Sequence, residues 1–237
     1  SSLVGSGDVY KRQMDDYISI LKKRNLGLTE RQKLVLQFAV VAAYLASVAF
    51  AGGVTHTTIP FVGQVDLGWL YYPLAAVVIV GVVNAVNFTD GIDGLNTTVS
   101  FFAFLSLALC AGLLSMTGLS AMGLASAAAC IGFLIWNWHP AKVFMGDTGS
   151  LFMGGMVCAL AFGMDLPLLL LPVGFVYLCE ILSVVLQVTY FKATHGKRLF
   201  KMSPIHHHFE MCGWSEVKIC LVFGLVALLG LSLIHIS

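Results

Sequence analysis

The sequence predicts an all-α polytopic membrane bundle, and three observations carry that prediction: its composition, the length of its apolar runs, and the one-sided placement of its basic residues. Of 237 residues, 58% are hydrophobic and 11% charged, with a mean hydropathy of +0.89. Water-soluble domains are roughly half apolar and about a quarter charged, so the balance excludes an ordinary soluble enzyme. A net charge of +1 is uninformative as a total, though its distribution is not; no nucleic-acid partner is expected. The six cysteines, at 110, 130, 158, 179, 212 and 220, form no C-x-x-C pair and no metal spacing; those in apolar segments read as small core hydrophobes.

Seven apolar runs are long enough to consider as spans: 34–53, 69–88, 98–116, 119–136, 149–164, 167–190 and 217–235. The fifth is short and carries Gly154-Gly155, which leaves its ends least defined. The first 33 residues contain no apolar run of signal-peptide length. Alternation across a bilayer puts 1–33, 89–97, 137–148 and 191–216 on one side. All 13 Lys and Arg residues lie on that side or, for Lys218, at its border. Loops on the other side carry only Asp66 and Asp165 as charges. The positive-inside rule makes the basic side cytoplasmic.

The chemistry-bearing residues follow the same side. Asn84, Asn87, Asp90 and Asp93 end the second run at a spacing of three, which fans them over about half a helix circumference at ~100° per residue. Gly91 and Gly94 then break the helix and let backbone approach a ligand. Such carboxylates and amides suit a divalent cation and a phosphate-bearing substrate; a polar helix end with an Asp-Gly turn is the plainer alternative. Asp15-Asp16, ahead of Lys22-Lys23-Arg24 and Lys33, can hold a metal or act as a base while the cations neutralise phosphate. The basic tract also suits a juxtamembrane segment facing anionic lipid.

Asn137 to Ser150 is a polar loop entering an apolar helix. Asp147 there sits near a helix N-terminus, where the dipole favours an anion; a Mg²⁺ ligand or a simple cap would each suit it. His206, His207 and His208 are consecutive, so at most two can reach one ligand. No thiolate or spaced imidazole completes a zinc site around them, and phosphate binding or proton transfer fits better. Glu180, the one ionisable group deep within a span, reads as a buried structural acid with a Ser, Gln or Tyr partner. A transporter would place its polar groups near the midplane on broken helices and show internal repeats; neither is evident.

Taken together, DDY at 15–17, GLTERQK at 27–33, NAVNFTDGIDGL at 84–95, NWHPAKVFMGDTGS at 137–150 and SPIHHHFE at 203–210, followed by Gly213-Trp214, resemble the polyprenyl-phosphate N-acetylhexosamine-1-phosphate transferases. The triple histidine followed by an aromatic residue and Glu points to their muramoyl branch rather than to the N-acetylglucosaminyl relatives, which stand as the alternative. The resemblance covers nearly all of residues 14–220. It implies Mg²⁺-dependent transfer of phospho-MurNAc-pentapeptide from its UDP conjugate to undecaprenyl phosphate, giving lipid I and UMP at the cytoplasmic face of a bacterial plasma membrane.

Carried over by position, the resemblance implies catalytic roles for Asp15, Asp16, Asp147 and His206, with Asp147 on Mg²⁺ and one of the acidic pair deprotonating the lipid phosphate. It implies substrate-binding roles for Lys33, Asn87, Asp90, Gly91, Asp93, Asn137, Phe144, Gln187, His207 and His208, with Phe144 stacking on uracil. Homodimerisation is a further expectation. Family members have about ten transmembrane helices, three of them ahead of the acidic pair, and Ser19 stands where many place Lys. Only 13 residues precede Met14 here. The expectation is therefore a single integral membrane domain over 1–237, truncated at its start, with 1–13 and 231–237 unlike family termini.

Overall fold

The computed structural model describes residues 29–53, 55–59 and 63–234; Asp15, Asp16 and the tract 22–24 lie outside them. The first helix, α1 (Glu30–Phe50), starts on a capping box. Thr29 Oγ1 accepts from Gln32 N, and Gln32 Oε1 accepts from Thr29 N at 2.9 Å. Two otherwise orphaned amide donors are thereby satisfied. The T-x-x-Q within GLTERQK is thus a helix start, and it fixes Lys33 in the first turn.

A hairpin follows, β1 (His56–Ile59) and β2 (Gly63–Asp66), paired antiparallel with His56 opposite Asp66 and Ile59 opposite Gly63. Apolar-run counting treats 54–68 only as a connecting segment, because so short a ladder has no hydropathy signature. Beyond a single 3-10 turn come α2 (Tyr71–Thr89), α3 (Leu95–Leu113), α4 (Thr117–Asn137) and α5 (Gly146–Gly163). A second 3-10 turn, Pro167–Leu169, leads into the short α6 (Leu170–Val173), then α7 (Phe175–Ala193), α8 (Ile205–Glu210) and α9 (Glu216–Ile234).

The fold is an all-α polytopic bundle. Among the described residues, five helices are long and apolar enough to cross a membrane: Arg31–Phe50, Gly68–Thr89, Leu95–Leu113, Thr117–Asn137 and Phe175–Ala193. The run 167–190 departs from expectation, since it is not one helix. It breaks at Gly174 between α6 and α7, and α7 continues to Ala193. Hydropathy cannot register such a break, because the residues flanking it, 168–173 and 175–179, are all apolar.

The third helix is the hub. Most of α3 is buried, whereas α1 and α4 leave most of their surface outward, as lipid-facing helices do. Val99, Leu107 and Ala111 on α3 are wholly enclosed, packed between α4 and α9. Helix α5 lies against α2 at Gly154, where a Cβ would come within 2.8 Å of Val83 Cα; small residues at such contacts let membrane helices approach closely. This packing brings the starts of α1 and α5, the end of α2 and the α7–α9 connection to one end of the bundle.

Candidate active site

Three helix ends meet around Asp147. Lys33 Nζ of α1 lies 3.0 Å from Asp147 Oδ2. Asn87 of α2 donates through Nδ2 to Asp147 Oδ1 at 3.3 Å and to Ser150 Oγ at 2.8 Å. Asp147 is in the first turn of α5, where the helix dipole stabilises a carboxylate. One turn deeper, Gln37 and Asn84 exchange carboxamide hydrogen bonds, Asn84 Nδ2 to Gln37 Oε1 at 2.7 Å and Gln37 Nε2 to Asn84 Oδ1 at 3.4 Å. Residues 33 and 37, and 84 and 87, share helix faces by their spacing. The two layers together clamp α1 to α2.

Asp90 caps the end of α2. Burial pushes its carboxyl up to about 7; a hydrogen bond from Asn96 opposes the rise and the nearby Asp147 charge adds to it. Asp90, Asn87 and Asp147 thus bring oxygen donors to the same helix ends. Carboxylate and amide oxygens are the donor chemistry of a hard divalent cation, and a cation there would offset both the burial that chiefly raises Asp90 and the smaller contribution of Asp147.

A second cluster involves Asp93. Its Oδ2 accepts from Ala141 N at 2.9 Å and lies 3.0 Å from His139 Nδ1. Glu216 Oε2 accepts from Asp93 N at 3.0 Å and lies 3.5 Å from the same His139 nitrogen. These ligand-type atoms all fall within 4.8 Å of one another, yet they already bond each other and the backbone. The arrangement ties the 138–145 loop and the start of α9 to the α2–α3 turn. Sequence reading assigned Asp93 but neither His139 nor Glu216; both lie in or beside quoted motifs, and only their meeting in space marks them.

The three histidines point to three partners. His206 Nδ1 lies 3.0 Å from Glu180 Oε2, both side chains fully enclosed. His207 Nδ1 pairs with Glu210. His208 Nδ1 accepts from Lys201 N at 3.1 Å, with Cys212 Sγ 3.8 Å from its Nε2. The expected Ser, Gln or Tyr partner for the Glu180 carboxylate is corrected to His206. Ser183 turns back to the Glu180 carbonyl, Gln187 bonds elsewhere, and Tyr177 bonds Ser100 at 2.7 Å.

Two residues assigned to substrate are engaged by the protein itself. Asn137 is 2% exposed; its Oδ1 accepts from Thr97 Oγ1 at 2.6 Å and its Nδ2 donates to Val143 O at 3.0 Å. Gln187 is buried, and its Oε1 accepts from Leu199 N and Phe200 N. Both carboxamides therefore shape loops at this end of the bundle. Phe144, by contrast, is 64% exposed, on the loop that leads to Asp147. Gly91 is exposed on its outer side and packs against His206 on its inner side.

Residues 13–165 match the profile of glycosyl transferase family 4. The phospho-N-acetylmuramoyl-pentapeptide-transferase of Halalkalibacterium halodurans is 46% identical over 217 residues, which are 91% of this chain and 66% of that protein. The enzyme of the same name from Bacillus thuringiensis is 45% identical over 225 residues, 92% of this chain and 68% of the relative. The chain thus spans about two thirds of the length of the curated relatives it matches. With a metal-suited carboxylate cluster, a basic side chain and an exposed aromatic ring gathered at one end of a membrane bundle, the chain belongs to glycosyl transferase family 4, among its phospho-N-acetylmuramoyl-pentapeptide-transferase members.

Proposed function

We propose that the protein transfers phospho-MurNAc-pentapeptide from UDP-MurNAc-pentapeptide to undecaprenyl phosphate, releasing UMP and forming lipid I, at the cytoplasmic face of a bacterial plasma membrane. The similarity to named transferases supports the reaction, and the one-sided distribution of Lys and Arg supports the face. The observation that carries the proposal is the convergence of Lys33, Asn87 and Asp147 from three helices. Moving a phosphoryl group needs charge neutralisation and alignment more than covalent chemistry by the protein.

In this reading Asp147, with Asp90 and Asn87 beside it, would hold Mg²⁺, which when bound neutralises charge on the pyrophosphate. Lys33 contributes a fixed cation at the same place and steadies the Asp147 carboxylate. Phe144 offers a face for the uracil ring. Asp15 or Asp16 takes the proton of the lipid phosphate, so that its oxygen attacks the β-phosphorus directly and UMP leaves. The domain is proposed as a single integral membrane unit, and homodimerisation, expected from the resemblance, is open to light scattering of the detergent-solubilised chain.

The test is UMP release by membranes carrying the chain, given UDP-MurNAc-pentapeptide, undecaprenyl phosphate and Mg²⁺. A parallel sample extends the chain to the length of its relatives. Release that needs both substrates and stops with EDTA is expected. Release from UDP-GlcNAc but not from the muramoyl conjugate, in both samples, overturns the proposal in favour of a GlcNAc-1-phosphate transferase.

A further inference from the structure

We propose that Glu180 and His206 are positioning residues that set the Asp90–Asp93 turn from beneath, through contact of the His206 ring with Gly91. The inference rests on the function proposed above. Glu180 on α7 and His206 on α8 have side chains that are 0% exposed, and they meet at 3.0 Å. A Cβ built on Gly91 would lie 2.2 Å from His206 Nε2 and 2.8 Å from its Cε1. The ring is therefore wedged between an acid inside the bundle and the turn that carries two of the site's carboxylates.

The chemistry of the pair fixes the ring's direction. With the carboxylate as acceptor, the Nδ1 facing it carries the shared hydrogen, and the Nε2 edge is the one turned to Gly91. Among the described residues, neither Glu180 Oε1 nor His206 Nε2 has a hydrogen-bond partner. Unpaired buried polar atoms are destabilising, and an apolar pair of similar volume would pack this site at no such cost. The arrangement is therefore explained by what it orients rather than by stability. In the same way, carboxylates behind metal-bound histidines fix ring orientation.

Gly91 supplies an independent indication. Its φ lies outside the left-handed region that favours glycine, unlike that of Gly94 at +74°. The backbone does not call for glycine at 91; the ring pressed against it does. The opening that sequence reading left for a ligand is occupied by the protein's own imidazole. Because the ring is enclosed, its effect on a reaction passes through the turn: a shift of Gly91 moves Asp90 on one side and Asp93, with its Glu216 and His139 contacts, on the other.

The ring's hydrogen bond is read first and without substrate. Nitrogen-15 spectra of histidine-labelled protein in detergent, compared with His206→Ala, are expected to show a His206 Nδ1–H that persists in Glu180→Gln and vanishes in Glu180→Leu. Its absence from the parent overturns the proposal whatever the turnover. UMP release then gives the coupling. Gly91→Ala is expected to lower kcat at least about thirtyfold in the parent and less than about threefold in the His206→Ala background, as contacting residues are non-additive.

Glu180→Gln, which keeps an acceptor for Nδ1–H, is expected to lose no more than about fivefold in kcat, and Glu180→Leu at least about thirtyfold with KM little changed. Size-exclusion profiles confirm that each compared variant is folded. Equal losses from Gly91→Ala in both backgrounds, or equal losses from the Gln and Leu variants, overturn the positioning role. A parent that shows the hydrogen bond yet releases no UMP sinks the functional reading, and the positioning role with it, while leaving the ring contact established.

Discussion

Asn87 and Asp147, 60 positions apart in the chain, are joined by a 3.3 Å hydrogen bond from amide to carboxylate. The bond seats the last turn of α2 against the first turn of α5, and Ser150 takes the same amide at 2.8 Å. With its Nδ2 bonded to two residues of α5, Asn87 is held against Asp147. Lys33 approaches the other Asp147 oxygen, so the carboxylate is oriented from two helices.

Asp147→Asn tests that centre. The amide keeps the shape of the side chain and removes its charge, leaving Lys33 facing a neutral group. UMP release is expected to fall by at least about a hundredfold, the scale of losing a group that stabilises the transition state, while the yield of folded protein in detergent stays at the parental level. Near-parental release at ordinary Mg²⁺ would remove Asp147 from the reaction.

Asp90 gives a pH dependence with a definite sign. Its carboxyl is raised from 3.8 to about 7, chiefly by burial. A raised folded-state value means the fold favours the protonated form; that contribution to stability is complete below about pH 4 and lost as pH rises through about 7. Asp90→Asn stays neutral and escapes the loss. In EDTA, the melting temperature of Asp90→Asn relative to the parent is therefore expected to climb between pH 5 and pH 8. A difference that does not change with pH would refute the buried, raised carboxyl.

Much of this end of the molecule was legible from residue order. Polar residues grouped between apolar runs predicted which loops converge, and Asp147 does open a helix, because an acidic residue ahead of an apolar run is a helix-start signal in itself. Pairings were not legible. Glu180 meets His206 across 26 positions, and Asp93 meets Glu216 across 123. Hydropathy reports the environment a residue prefers, not which distant partner enters it. For the same reason the loop contacts of Asn137 and Gln187, to which the resemblance assigns substrate, were not legible, and the break at Gly174 was hidden within an apolar run.

Asn137→Ala separates those two roles. The substitution strands the enclosed Thr97 hydroxyl and releases the Val143 carbonyl, and leaving a buried polar group unpaired costs about 1–3 kcal/mol. The melting temperature is expected to fall clearly. A variant with parental stability but weakened binding of the uridine nucleotide would instead return Asn137 to the substrate.

The triple histidine should divide by partner rather than act as a set. His206 is enclosed against Glu180 and Gly91, so His206→Ala removes both an acceptor's partner and a wedge; a loss of at least about thirtyfold in UMP release is expected, on the scale of a disrupted active-site contact. His207, half-buried beside Glu210, sits between the extremes. His208 accepts one backbone hydrogen bond, from Lys201, which a glutamine oxygen can also accept, so His208→Gln is expected to be the mildest of the three. Cys212 Sγ lies 3.8 Å from His208 Nε2, and among the described residues the diverging rings have no tetrahedral set for zinc. A selective zinc chelator with Mg²⁺ kept in excess is therefore expected to change none of the three results. Equal tolerance of all three substitutions would reduce the motif to surface structure and turn the assignment toward the GlcNAc-1-phosphate enzymes.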